Sequence, residues 1–136
     1  MLIKNETDTK NFVQHFASNL KKNDIIALNG NLGAGKSFIC REIIQYFCGA
    51  HTNVISPTFN ILQTYDAPNF TIYHYDLYRL KSKSEIYELG FEEALNNNLC
   101  LIEWPEIIAS ILPSPYINIS IEILPNGFRE IIVKNS

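Results

Sequence analysis

At 136 residues, 46% hydrophobic and 18% charged, the chain is large enough to close a real core and too small for two nucleotide-binding halves. It therefore reads as a single domain over residues 1–136. A net charge of −3 excludes a global attraction to bare nucleic acid: no basic block suits DNA, and any RNA connection must run through a local patch or a partner. Cys40, Cys48 and Cys100 make no CxxC pair. Cys40 and Cys48 fall on one predicted helix about 12 Å apart in rise, too far to bridge, which fits a reducing cytoplasm. The stretch Met1 to Glu6 has no signal-peptide h-region and no apolar run reaches membrane length, so the expected location is cytoplasmic, with no membrane partner.

In chain order, residues 7–20 read as a helix capped by Thr7 or Asp8, with Phe12, Val13, Phe16, Ala17 and Leu20 as its apolar stripe. Ile25-Ile26-Ala27-Leu28 is a short apolar run suited to a strand buried on both faces. The turn after it, Gly30-Asn31-Leu32-Gly33-Ala34-Gly35-Lys36-Ser37, fits the phosphate-loop pattern G-x-x-x-x-G-K-[ST]. Ile39, Ile43, Ile44 and Phe47 then fall on one side of a helix that Gly49 ends at about Cys48. The strand and helix that the motif requires are both present.

Pro57 forbids helix around Ser56-Pro57-Thr58. Phe59 to Tyr65 and Phe70 to Tyr75 read as antiparallel strands joined by a tight loop. Segment 81–98 has helical character interrupted at Gly90, and Leu99 to Ile102 is another buried-type strand ending in Glu103-Trp104-Pro105. A short helix from Glu106 to Leu112 precedes Ile117 to Ile123, whose two-residue alternation marks a half-buried strand. Pro125-Asn126-Gly127 turns the chain, and Phe128 to Val133 returns as the hairpin partner. The expected fold is α/β: a three-layer, phosphate-loop NTPase-like arrangement with a mixed, mostly parallel central sheet and a C-terminal β-hairpin.

The loop is expected to cradle a polyphosphate on its backbone N–H groups and on the positive end of the following helix. Lys36 supplies a point charge at the β- and γ-phosphates and Ser37 a hydroxyl for Mg²⁺. Hydrolysis needs acidic groups as well. Glu103 follows four apolar residues in the manner of a Walker B strand, and Asp76 closes an earlier strand; both are candidates for a metal or water role, against a simpler one as strand caps or surface ion-pair partners. Thr58 sits where nucleotide hydrolases sense a γ-phosphate, and reads equally as a turn hydroxyl. Trp104 is either core packing or an anchor at the nucleotide or an interface. Thr9 is the choice for a base contact in the stretch Asn5 to Asn11. Arg79 and Arg129 offer charge to phosphate or a partner, with solvation as the default. His74 reads as a core or strand histidine rather than a ligand. An N/T-K-x-D run is absent, which disfavours guanine, and so is the Arg-dense lid of many small-molecule kinases.

Together, Gly30 to Ser37, Ser56-Pro57-Thr58-Phe59, His74-Tyr75-Asp76-Leu77-Tyr78-Arg79-Leu80, Glu88-Leu89-Gly90 and Leu101-Ile102-Glu103-Trp104-Pro105 resemble the TsaE (YjeE) family of small bacterial ATPases, in its order and spacing and over most of the chain. The loop is common to many families; the run from His74 joined to Glu103-Trp104-Pro105 is far more specific. The resemblance implies an ATP/ADP- and Mg²⁺-dependent ATPase, weak alone, acting with a TsaB–TsaD-type complex and reaching tRNA through it. That machinery forms N6-threonylcarbamoyladenosine beside the anticodon of tRNAs reading codons that begin with A, and hydrolysis resets the complex rather than transferring the group. By the same resemblance, Asn31, Leu32, Gly33, Ala34, Gly35, Lys36, Ser37 and Phe38 hold the nucleotide, with Thr9, Trp104 and Arg129 as further contacts. Ser37, Glu103 and Asp76 would serve the metal, and Glu103, Asp76, Lys36 and Thr58 the chemistry. Ser37 replaces the commoner Thr and preserves the hydroxyl, while Phe128 interrupts the late Gly127-Phe128-Arg129-Glu130 motif. The competing readings are a small-molecule kinase and a nucleotide-gated interaction module.

Overall fold

The computed structural model describes residues 1–136. Its backbone is one seven-stranded mixed sheet with helices on both faces. In chain order these are β1 (Leu2–Ile3), α1 (Glu6–Ala17), β2 (Ile25–Asn29), α2 (Lys36–Cys48), β3 (Leu62–Asp66), β4 (Thr71–Asp76), α3 (Glu85–Glu88), α4 (Phe91–Ala94), β5 (Leu99–Glu103), a 3-10 turn (Pro105–Ile108), β6 (Ile117–Ile123) and β7 (Arg129–Asn135). The sheet order is β1-β7-β6-β2-β5-β4-β3. The four inner strands β6, β2, β5 and β4 are parallel, and antiparallel pairs close both edges.

The two-residue period of the strands separates two cores. Ile26, Leu28, Ile72, Leu99 and Leu101 face α1 and α2, where they meet Val13, Ile39, Ile43 and Ile44. Ile25, Tyr75, Cys100 and Ile102 face the other way, onto Leu77, Ile86, Phe91 and Ile108. By the same parity Glu103 projects from β5, and His74 and Asp76 from β4, on the α2 side. Registration of Asp76 against Glu103, and of Glu103 against Leu28, brings the ends of three parallel strands to one edge.

Several boundaries differ from the sequence reading. Helix α1 starts earlier, because Asn5 rather than Thr7 or Asp8 is its cap: Asn5 Oδ1 accepts from the Asp8 N–H at 2.9 Å. It stops at Ala17, and Leu20 reaches the core through the turn that follows. Strand β3 begins at Leu62, not Phe59, since a turn closes from the Ile61 N–H to the Pro57 carbonyl and sets Ile61 at φ +69°. Segment 81–98 forms two single-turn helices on either side of Gly90, and the helix expected at 106–112 is only the 3-10 turn. Strand β1 is an addition: two residues have no periodicity to read, and they become a strand by pairing with β7. No helix is long and apolar enough to cross a membrane.

Candidate functional site

The loop from Gly30 to Gly35 leaves the end of β2 between its parallel neighbours β5 and β6, the place where doubly wound sheets open a crevice. It can do so only with glycine at particular points. A Cβ on Gly30 would lie 2.8 Å from the Ile121 carbonyl oxygen, so β2 and β6 approach too closely for any side chain there. Gly33 and Gly35 take φ of +79° and +113°, and a Cβ at either would meet nothing within 4 Å. Their requirement is conformational: left-handed residues curl successive N–H groups toward one point at the start of α2.

Lys36, 5% exposed, donates Nζ to the carbonyls of Gly30 and, at 3.4 Å, Asn31, and its ammonium lies 3.6 Å from the centre of the Trp104 ring. Burial pushes the Lys36 pKa below its ordinary value, opposed by the charges of Glu103, Glu106 and Asp76. Trp104 in turn meets the Tyr78 ring at a tilt of 52°, ring centres 4.9 Å apart. Its backbone is left-handed at φ +57°, an uncommon conformation for a bulky residue that clusters at functional sites. Pro105 immediately after it opens the 3-10 turn.

The acidic groups converge as strand parity requires. Ser37 Oγ donates to Glu103 Oε1 at 2.9 Å, and Glu103 Oε2 lies 2.6 Å from His74 Nε2. Asp76 accepts from the Tyr78 N–H at 3.1 Å and, more loosely, from Thr58 Oγ1 at 3.5 Å. Thr58 Oγ1 is also 2.7 Å from Ser56 Oγ. Burial raises the Asp76 pKa, the Tyr78 N–H opposes that shift, and the neighbouring charge of Glu103 adds to it. Cys40, one turn after Ser37, joins His74 and Glu103 in a buried group whose ligating atoms lie within 4.8 Å of one another. Burial first and Glu103 second raise the Cys40 pKa well above its usual value.

A cleft of about 280 Å³ collects most of the residues expected from sequence: Asn31 through Phe38, with Thr58, Asp76, Glu103 and Trp104. Tyr78 also lines it; its sequence signal was the neighbouring Asp76, not itself. Thr9 and Arg129 line a second cleft of about 340 Å³, which shares Ala34, Gly35 and Phe38 with the first. Arg129 Nη2 donates to the Gly33 carbonyl at 3.1 Å. Arg79 lies apart from both clefts, exposed, its guanidinium 5.1 Å from the Phe59 ring. His74 is the residue whose placement sequence reasoning undervalued. It is a buried strand histidine, as expected, and also a direct partner of Glu103; the signal was the shared parity of residues 74 and 103 on strands that prove adjacent.

The parallel-cored sheet, the glycine-formed loop at its central strand and the lysine and hydroxyl that open α2 define a phosphate-loop α/β protein. The model of the family "Threonylcarbamoyl adenosine biosynthesis protein TsaE" matches residues 3–131. A Rickettsia typhi protein named tRNA threonylcarbamoyladenosine biosynthesis protein TsaE is 62% identical over 132 residues, covering 97% of this chain and 92% of the relative. The Bacillus subtilis protein of the same name is 34% identical over 128 residues, 93% of this chain and 79% of that one. The crystal structure of YdiB from Bacillus subtilis superposes with a TM-score of 0.78 at 26% identity, covering all of this chain and 83% of that one. The chain belongs to the TsaE family.

Proposed function

We propose that this chain is the Mg²⁺-dependent ATPase of the cytoplasmic machinery that forms N6-threonylcarbamoyladenosine next to the anticodon of tRNAs reading codons that begin with A. The observation that carries the reading is the 2.9 Å contact between Ser37 and Glu103, at the junction of loop, α2 and the carboxylate-bearing strand ends. The cleft offers a hydroxyl and two carboxylates, all hard oxygen donors, and this set fits Mg²⁺. Ser37 and Asp76 would hold the ion directly, with Glu103 at it through a water, and the ion when bound would neutralise charge on the β- and γ-phosphates.

The chain's own residues supply the rest. The N–H groups of Gly33 to Ser37 and the amino end of α2 bind the phosphates, as the open space over Gly33 and Gly35 permits. Lys36, now spent on two loop carbonyls, exchanges them for phosphate oxygens. Glu103 orients the attacking water and accepts its proton, Thr58 meets the γ-phosphate beside Asp76, and Trp104 with Tyr78 keeps bulk water from one wall. Thr9, Phe38 and Arg129 line the adjoining cleft and serve the remainder of ATP.

No arginine lines the first cleft, so the transition state gains no second cation in cis. Where such a group arrives in trans it is worth roughly 10³–10⁵ in rate. That gap supports a weak lone ATPase working on a TsaB–TsaD-type complex, resetting it between turnovers and touching tRNA only through it. The deciding measurement is Mg²⁺-dependent phosphate release by wild type and Glu103→Ala, with and without those partners. Slow release alone, acceleration with partners, and ATP binding without release in the variant are expected. Wild-type turnover in Glu103→Ala, or a lone enzyme as fast as the assembled one, would overturn the proposal.

A further inference from the structure

Behind the cleft, between α2 and the sheet, lies a polar group that the hydrolytic scheme leaves unused. His74 is 1% exposed and Glu103 2%, and Cys40 of α2 is buried with them, the ligating atoms of the three lying within 4.8 Å of one another. A histidine buried this deeply costs desolvation unless its ring is bonded. Here Nε2 has Glu103 Oε2 at 2.6 Å, and Nδ1 has no partner.

That asymmetry assigns the tautomer. A proton on Nδ1 would bury an N–H with no acceptor and set the Nε2 lone pair against a carboxylate oxygen. A proton on Nε2 satisfies the only available acceptor and leaves just a lone pair unmet. Both partners stand on adjacent inner strands, with His74 registered opposite Leu101 and Glu103 two residues further along, so their separation is set by the sheet rather than by a loop.

We propose that His74 is a positioning residue for hydrolysis: its Nε2–H holds Glu103 Oε2, which keeps Oε1 turned toward Ser37 and the mouth of the cleft. This rests on the reading of Glu103 as the hydrolytic carboxylate. Without the imidazole, the Cys40 thiol, a weak donor, is what remains beside Glu103 in that buried group, and the side chain is free to rotate away from the water it must orient. Loss of such a supporting partner costs on the order of 10- to 100-fold in activity. The loss falls on kcat, because the loop and Lys36 bind ATP whichever way Glu103 points.

The test combines ¹⁵N shifts of the His74 ring in the free protein with ATPase kinetics of wild type, His74→Leu and His74→Gln, each with the TsaB–TsaD-type partners. The expected results are an Nε2–H ring in wild type, a kcat lowered by about 10- to 100-fold in His74→Leu with KM for ATP little changed, and substantial recovery in His74→Gln. The glutamine amide can donate from nearly the same reach, which a merely space-filling role would not reward. An Nδ1–H ring, wild-type kcat in His74→Leu, or a glutamine variant that melts normally yet turns over no faster than the leucine one would overturn the inference. Should His74→Leu fail to fold, the tautomer and His74→Gln decide: an Nε2–H ring with near-wild-type kcat in His74→Gln supports the inference, and an Nδ1–H ring or a folded but inactive His74→Gln overturns it. A wild type that releases no phosphate even with partners overturns the ATPase reading and this inference with it. That failure is distinguishable because it shows before any substitution is made.

Discussion

Lys36 and Asp76 show at single residues how the cleft holds charge that the fold would rather not bury. The ammonium is parked on loop carbonyls and an indole face, and removing it deletes the only cation lining the cleft. Lys36→Ala is expected to weaken ATP binding by roughly tenfold to a hundredfold or more, the worth of charge-assisted contacts. Calorimetric titration checks this, and unchanged affinity would remove the loop from the nucleotide site. Asp76 is the stability case. Its folded pKa is raised, so the folded chain binds that proton more tightly than the unfolded chain does. The ionised group therefore costs stability above its unfolded pKa, and the cost fades as pH falls through the raised folded value. Asp76→Asn keeps an oxygen for the Tyr78 N–H and drops the charge. It should melt higher at pH 7 by about 1 kcal/mol, a few degrees in Tm, while losing Mg²⁺-dependent ATP affinity. The gap to wild type should narrow in acid; a gap that widens would contradict the sign.

At the scale of elements, what could be read from the chain and what could not divide along one physical line. Strand β2, the loop, α2 and β5 carry strong local signals: a doubly buried apolar run, obligatory glycines, a 3.6-residue stripe, and an apolar run ending in an acid. Their bounds matched closely, including the stop of α2 at Cys48 before Gly49. The helices of 81–98 and 106–112 shrank to single turns because their apolar residues dock onto a sheet face one by one, at Ile86, Phe91 and Ile108, rather than as a continuous stripe. Strand β1 and the cap at Asn5 depend on partners distant or off-pattern. In the cleft, Glu103, Asp76, Ser37 and Lys36 were visible because strand ends and the motif place them. The bond from His74 to Glu103 was not, since it needs the knowledge that β4 lies beside β5. The loop's dependence on β6 gives a prediction of the same kind. Gly30→Ala drives a methyl against the Ile121 carbonyl, and overpacking against backbone costs typically 1–3 kcal/mol. A lower denaturation midpoint is expected with α2 helicity retained; a neutral melt would mean that β6 gives way freely.

For the whole molecule, the order of strands sets the loop in the middle of the sheet while the chain's first and last strands meet at one edge. Leu2 and Ile3 pair with Glu130 and Arg129 on β7, and Arg129 reaches from that edge to the carbonyl of Gly33 at the loop's tip. Loop and edge are thus joined directly by one guanidinium, in addition to the seven-pair ladder that holds β7 to β6. The consequence concerns local opening rather than chemistry. Whatever stills the loop stills the margin of the sheet, because Arg129 cannot hold Gly33 and follow a fraying β7 at once. Amide hydrogens of Ile3, Ile131 and their neighbours are expected to exchange several-fold more slowly when ATP and Mg²⁺ are present, although the phosphates lie elsewhere. Arg129→Gln, compared at nucleotide concentrations that saturate the variant, should uncouple the two, leaving the loop protected by nucleotide and the edge indifferent to it. Equal protection in that variant would show that the edge is steadied by another route. On this reading the outermost strands of the protein register, through their breathing, whether its central loop is filled.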